Sequence, residues 1–141
     1  MTVNQISVFV ENKSGALAQI AGELAAAGVN MRALSIAETP DFGVLRFIAD
    51  QEEKAAEVLR ENGYVLTVTP VLAVSLRDEP GSFAKTMRVL ADAGIDVEYV
   101  YAFLTPKPDT AYMIFRVADN AAAEKALSDA GMQLASIEDM E

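Results

Sequence analysis

The sequence of 141 residues contains no cysteine and no histidine. Without cysteine the chain has no disulfide bond, no thiol nucleophile and no sulfur ligand for zinc, which suits a reducing cytoplasm. Without histidine, Ser-His and Cys-His catalytic pairs are excluded as well. A metal site would need oxygen ligands only, and no calcium-loop spacing is present. We therefore expect neither enzymatic activity nor a cofactor.

Basic residues are also scarce, because 11 lysines and arginines stand against 21 acidic residues and the net charge is −10. Contacts to phosphate need lysine and arginine, so we expect no nucleic-acid partner and no anionic membrane as a partner. No apolar run reaches the ~20 residues that a transmembrane helix needs. No apolar signal core precedes the first predicted strand, so a cytoplasmic location is expected.

The chain contains an internal repeat. In the first half an alternating apolar strand enters the segment 11–15 (ENKSG), a helix follows, and a turn at Gly28 leads into another strand. The same succession returns 66 residues later, with Gly81 and Gly94 in the equivalent places. The second hairpin loop is about three residues longer. A repeat that covers the whole chain predicts two copies of one structural unit.

Periodicity predicts the order β-α-β-β-α-β in each half. The strands of the first half are predicted over 3–10, 31–37, 44–49 and 64–69, with helices over 15–27 and 51–62. Those of the second half are predicted over 71–77, 97–105, 111–118 and 133–137, with helices over 81–93 and 120–130. Each half is a split β-α-β unit, with four antiparallel strands and two helices on one face. We expect an α+β fold with domains 1–69 and 70–141, joined into one eight-stranded sheet.

One predicted strand is aromatic on one side. Its aromatic residues are Tyr99, Tyr101 and Phe103, whereas the first half has alanine or serine at the matching positions. A loosely packed core would explain the difference. We favour a second copy of the chain, or a partner, that covers the aromatic side, and we expect a homodimer.

Four features of the sequence predict helix ends and the chain terminus. Ser14 is placed to cap the first helix, and Asp50 with Glu53 matches a capping box for the second. Asp78 is predicted to cap the equivalent helix of the second half before a proline. The acidic residues among 138–141 are expected to form a solvated end.

The loops NKSGAL (12–17) and DEPGSF (78–83), with the turns AGVN (27–30) and AGID (93–96), resemble tandem ACT domains over essentially the whole chain. ACT domains are ferredoxin-like regulatory modules that bind small ligands, most often amino acids, and pair through their sheets. The resemblance implies a free-standing, allosteric amino-acid-binding protein. Its ligand would lie at the seam between two units, against the loop before the first helix of one unit and the second strand of the other.

The resemblance also implies individual ligand-binding positions in both halves. In the first half they are Asn12, Ser14, Gly15, Ala16, Leu17, Asn30 and Met31. In the second half they are Asp78, Gly81, Ser82, Phe83, Asp96 and Val97. Asn12 and Asn30 of the first half correspond to Asp78 and Asp96 in the second. The two acids argue against a second, equivalent site for a ligand carboxylate.

The first loop suits a carboxylate, since unpaired amides begin the helix and Gly15 allows close approach to the backbone. Asn12 or Asn30 could orient the ligand through neutral hydrogen bonds. The alternative is that Gly15 only makes the turn and Asn30 only tolerates a left-handed backbone. Asp96 could hold an ammonium group in a mixed site.

Two other functions are compatible with the sequence. The opening VENKSGAL (10–17) resembles the small subunit of acetolactate synthase, which suggests a regulatory subunit that acts mainly by contact with a metabolic enzyme. A plain structural dimeriser would use the aromatic side described above. The second copy of the glycine loop favours a protein that binds a free amino acid.

Overall fold

The structure of the protein is a computed structural model, and it describes residues 1–11 and 13–141. The first half contains β1 (Val3–Glu11), α1 (Ala16–Ala26), β2 (Met31–Glu38), β3 (Phe42–Ala49) and α2 (Glu52–Glu61). The long strand β4 (Leu66–Arg77) follows. The second half continues with α3 (Ser82–Asp92), β5 (Val97–Phe103), β6 (Thr110–Val117), α4 (Asn120–Asp129), β7 (Gln133–Leu134) and α5 (Ile137–Met140).

The chain divides into two compact units. The first unit is residues 4–69, and the second unit is residues 1–3 together with 70–141. Strand order in the first unit is β4-β1-β3-β2, and in the second unit it is β7-β4-β6-β5. Both repeats therefore build the same antiparallel order, and the predicted α+β fold of two repeated units is confirmed.

The described residues form seven strands, not the eight expected from the sequence. The reason is β4, which continues through Pro70 as one strand of 12 residues. Proline lacks an amide hydrogen, so a strand tolerates it only where no neighbour needs that donor. Pro70 is exposed, and the pairing of β4 with β6 begins after it, at Leu72.

The core of the first unit lies between the sheet and its two helices. Alternation along β1 buries Ile6, Val8 and Val10 on one face, as predicted. The register places Ile6 opposite Phe47 of β3, so the buried sides of the two strands coincide. Helix α1 adds Ile20 and Leu24 to this core, and α2 adds Leu59. The second unit repeats the arrangement with Leu72, Leu90, Phe115 and Leu127.

Both units carry a register shift at the start of the second strand of the repeat. In β2 it falls between Met31 and Ala33, and in β5 it falls between Val97 and Tyr99. Such a bulge bends a strand and changes the direction of a side chain. The repeat therefore preserves this irregularity next to the predicted turn positions Asn30 and Asp96.

The predicted role of the aromatic side of β5 in a homodimer is wrong. Tyr101 is only 7% exposed and Phe103 only 4% exposed within the single chain. Phe103 packs edge-on against Tyr112, with 6.3 Å between ring centroids. Side chains that the chain already buries offer little further apolar area to a second copy.

The end of the chain differs from the predicted strand 133–137, whereas the acidic residues Glu138, Asp139 and Glu141 are exposed, as predicted. Strand β7 has two residues, and the short helix α5 follows it. Ser136 and Asp139 form a capping box, in which the Ser136 amide donates to the Asp139 carboxylate at 2.9 Å. The Ser136 amide and hydroxyl lower the pKa of Asp139. Met140 at the end of α5 is fully buried, so this segment is packed.

Ser136→Ala should raise the pKa of Asp139 toward its ordinary value, because the variant lacks the hydroxyl of the capping box. A lowered pKa in the folded state stabilises that state above the pKa of the unfolded chain. The stabilisation is lost as the pH falls through the lowered folded-state pKa. A carboxyl NMR titration of Asp139 measures the change. Ser128→Ala, at an exposed serine of α4, is the control, and an unchanged titration in Ser136→Ala would contradict the cap.

Candidate functional site

The glycine loop of the first unit (residues 11–15) ends in a left-handed residue. Gly15 has a φ of 87° and occupies the N-cap position of α1. Apart from its chain neighbours, no described residue has an atom within 4 Å of the place where a Cβ of Gly15 would stand, so the backbone angle, not crowding, requires glycine. The predicted cap by Ser14 is wrong, because Ser14 precedes the N-cap and its hydroxyl bonds to no described residue. Asn12 lies outside the described residues.

The glycine loop of the second unit (residues 77–81) has the same backbone. Gly81 has a φ of 91° at the N-cap of α3. The predicted cap by Asp78 is wrong, since Gly81 holds that position; the Asp78 amide donates to the Asp109 carbonyl at 3.0 Å. The Ser82 amide donates to the Glu79 carbonyl at 3.3 Å, as the Ala16 amide donates to the Lys13 carbonyl at 3.3 Å in the first unit.

Each loop leaves two helix amides available. In the described part of the chain, no carbonyl accepts a hydrogen bond from the amides of Leu17 and Ala18. The same holds for Phe83 and Ala84 in the second unit. Unpaired amides at a helix start, together with the helix dipole, favour an anionic group. The Leu17 and Phe83 side chains occupy equivalent positions, and each is 42% exposed.

The predicted turn residues lie at the other end of the first helix of the repeat. Helix α1 has 11 residues and is therefore about 16 Å long, so Asn30 and Met31 do not meet the glycine loop of their own unit. The Asn30 amide donates to the Asp50 carboxylate at 2.9 Å, and the Asn30 carbonyl accepts from the Asp50 amide at 3.1 Å. The predicted capping box of α2 is absent because the Asp50 carboxylate accepts the hydrogen bond from Asn30. The N-cap of α2 is Gln51, whose side chain makes no capping hydrogen bond.

The Asn30 side chain is available for a ligand. Asn30 is exposed, and no described residue forms a hydrogen bond with its side-chain amide. Asp96 at the equivalent place in the second unit is also exposed, whereas Val97 is half-buried. Within each unit the loop positions and the turn positions form two separate groups. Their combination into one site, which the resemblance implies for two different units, stays a prediction.

A cavity of about 390 Å³ lies beside the first glycine loop. It is lined by Glu11 and Lys13 of the loop, Gln19 of α1, and the segment 62–65 after α2. Lys13 and Glu11 form an ion pair of 2.8 Å, which raises the pKa of Lys13 and lowers the pKa of Glu11. Burial raises the pKa of Tyr64, and the Glu23 carboxylate adds to the rise, so Tyr64 is a neutral hydroxyl at physiological pH.

The sequence interpretation did not identify segment 62–65 as part of a site. The sequence signal in this segment is Gly63, whose φ of 83° marks the turn that ends α2. A smaller cavity of about 90 Å³ lies beside the same loop and is lined by Leu17, Ile36 and Glu38. In the second unit, a cavity of about 720 Å³ next to α5 is lined by Lys107 and Tyr112.

A scan against protein-family models matches residues 1–140 to the ACT domain pair. The chain belongs to the ACT domain pair family. Membership confirms the resemblance drawn from the two glycine loops and their turns, and it identifies the chain as a regulatory module. The comparison with curated proteins gives no match.

Solved structures share the fold of this ACT pair. Protein BT0572 from Bacteroides thetaiotaomicron is 33% identical, with a TM-score of 0.91 over 99% of this chain and 96% of that chain. The ligand-free regulatory subunit of aspartate kinase from Thermus thermophilus is 19% identical, with a TM-score of 0.65 over 90% of this chain and 91% of that chain. The regulatory subunit from Thermus flavus is 17% identical, with a TM-score of 0.62 over 91% and 92% of the two chains.

The described residues of the ACT pair show neither a membrane-spanning helix nor a metal-binding cluster. None of their helices is both long enough and apolar enough to cross a membrane. Residues 1–11 and 13–141 contain no group of three or more acidic side chains placed to hold a metal ion.

Proposed function

We propose that this ACT pair is a regulatory protein that binds a free amino acid against the glycine loop of its first unit. The observation that carries the proposal is the exposed start of α1, where two amides have no partner among the described residues and no described side chain caps the helix. A ligand carboxylate would accept hydrogen bonds from these amides. As the family implies, a neighbouring ACT unit would complete the site with its turn residues, among them Asn30, whose side chain is exposed.

A bound amino acid regulates the protein only if it has different affinities for two states of the protein. The two states would differ either in the assembly of the ACT pair or in its contact with a metabolic enzyme of the cytoplasm. The regulatory subunits of aspartate kinase that share the fold support the second possibility. A homodimer is part of the proposal, with contacts outside the buried aromatic side of β5.

Calorimetric titration with each of the common amino acids tests the proposal, and we expect one or a few to bind. Asn30→Ala should weaken binding by about fivefold, because it removes one neutral hydrogen bond. Asp78→Ala is the control and should leave the affinity unchanged, since an acid does not hold the ligand carboxylate. No binding at millimolar concentration would contradict the proposal.

The alternative function is a regulatory subunit that acts by protein contact alone. Leu34 and Ile36 on β2 support it, because they are 47% and 46% exposed and offer apolar area to a partner. Co-purification with a catalytic subunit that no amino acid strengthens or weakens would favour this alternative over the ligand-binding protein.

A further inference from the structure

The two units contain equivalent cavities on one side of their glycine loops. The cavity of the first unit lies between the loop and the segment 62–65. The cavity of the second unit, about 610 Å³, lies between the loop and the segment 131–133. Gly63 lines the first and Gly131 lines the second, and each is left-handed at the end of a helix. Because the repeat builds both cavities from the same elements, they are features of the fold.

The charges that line the two cavities are reversed. Glu11 of the first loop corresponds to Arg77 of the second, and Lys13 corresponds to Glu79. In the first unit Lys13 is paired with Glu11 at 2.8 Å. Neither Arg77 nor Lys85, which takes the place of a glutamine in α3, forms an ion pair with a described residue.

The second-unit cavity therefore presents two cations from different elements. Arg77 ends β4 and Lys85 lies in the first turns of α3, and both line the cavity. The guanidinium of arginine binds a carboxylate with two parallel hydrogen bonds, and the ammonium of lysine acts as a point charge. The whole chain carries a net charge of −10, so an anion is attracted here by local groups such as these cations and not by the overall charge.

Some of the remaining lining residues fit a short dicarboxylate, although Glu79 and Asp109 also line the cavity and balance the two cations in formal charge. Leu76 and Met132 provide apolar surface for a methylene chain. The Ser82 hydroxyl lines the cavity and has no described partner. The volume of about 610 Å³ falls within the range of about 300–1,000 Å³ that is usual for small-molecule sites. Asp78, the acid that argued against a carboxylate in this loop, is not among the lining residues.

We propose that the second-unit cavity binds a small dicarboxylate, with one carboxylate on Arg77 and the other on Lys85. The dicarboxylate is either a simple dicarboxylic acid or a dicarboxylic amino acid. Glu79 and Asp109 line the same cavity and would accept the ammonium group of an amino acid. This site is additional to the amino-acid site proposed at the first glycine loop and does not depend on it.

Calorimetric titration of the full chain at low salt tests the site, with succinate and L-glutamate as probes and acetate and inorganic phosphate as comparisons. We expect both dicarboxylates to bind about tenfold more tightly than acetate, because the second carboxylate adds a charge-assisted hydrogen bond. Tighter binding of glutamate than of succinate would support an amino acid as the ligand, and the reverse order would support a simple acid.

Matched variants assign the binding to this cavity. Arg77→Gln and Lys85→Gln should each weaken dicarboxylate binding by about tenfold, because each removes one charged partner. Arg88→Gln is the control for net charge, since Arg88 lies on the same helix but faces Asp92 at 3.8 Å and does not line the cavity. The Arg88→Gln variant should bind the dicarboxylate with the same affinity as the unchanged chain.

Three results would overturn the proposal: no dicarboxylate binding at millimolar concentration, equal weakening in the Arg88→Gln control, or phosphate binding as tight as dicarboxylate binding. The last result would show an unselective anion surface. Amino-acid binding that Asn30→Ala weakens, and that Arg77→Gln leaves unchanged, would belong to the first glycine loop. It would support the function proposed above even if the dicarboxylate site failed.

Discussion

Phe47→Ala should lower the free energy of unfolding by about 3–5 kcal/mol, the usual cost of replacing a buried phenylalanine by alanine. Phe47 is fully buried in β3, opposite Ile6 of β1 and within the cluster that α1 and α2 cover. The variant loses the apolar contacts of the ring and leaves a cavity that close-packed neighbours fill only in part. Since a folded domain is stable by about 5–15 kcal/mol, urea denaturation should show a large shift of the midpoint.

Phe42→Ala is the matched control, because it makes the same change on the same strand. Phe42 is 39% exposed and meets one aromatic neighbour, Phe9, at 5.5 Å between ring centroids. An exposed aromatic pair contributes about 0.5–1.5 kcal/mol beyond its buried area, so the loss should be clearly smaller than for Phe47. Equal losses in the two variants would show that the core is not centred on β3.

Met140→Ala should lower the free energy of unfolding by about 2–5 kcal/mol, although the residue lies next to the end of the chain. Met140 is fully buried, and the capping box of Ser136 and Asp139 holds the short helix that carries it. A thermal or urea unfolding curve measures the loss. A terminal residue in a solvated tail would give no measurable loss.

Glu138→Ala tests whether the effect comes from burial or from any change in α5. Glu138 lies on the same short helix and is exposed. Surface changes away from special features usually stay within about 0.5 kcal/mol. A loss in Met140→Ala with none in Glu138→Ala would confirm that the methionine side chain anchors the end of the chain.

The elements of the fold could be predicted because their signals are local. Alternation along β1 and the helical spacing of Ile20 and Leu24 are readable over a few residues, and both describe the buried faces correctly. Gly15 and Gly81 mark left-handed positions that other residues rarely adopt. The continuation of β4 through Pro70 could not be predicted, since proline suggests a break and only the neighbours of the folded strand decide whether the missing amide hydrogen matters.

The residues around the candidate sites were harder to predict, because they come from distant parts of the chain. Asp50 matches a local capping pattern, yet its carboxylate accepts a hydrogen bond from Asn30, which is 20 residues away. Segment 62–65 contributes to the cavity beside the first loop without any chemical motif of its own. The aromatic residues of β5 suggested an interface, but the fold of the single chain already buries Tyr101 and Phe103.

Residue types and their spacing were enough to identify the chain as a duplicated ACT unit, to place each glycine loop, and to exclude catalysis by cysteine or histidine. These properties depend on residue identity and on spacing within one element, and folding changes neither. Only the tertiary structure decided that one strand serves both units, that Met140 is buried, and that Arg77 and Lys85 share a cavity. Burial and charge pairing depend on neighbours remote in sequence, so the packed chain alone specifies them.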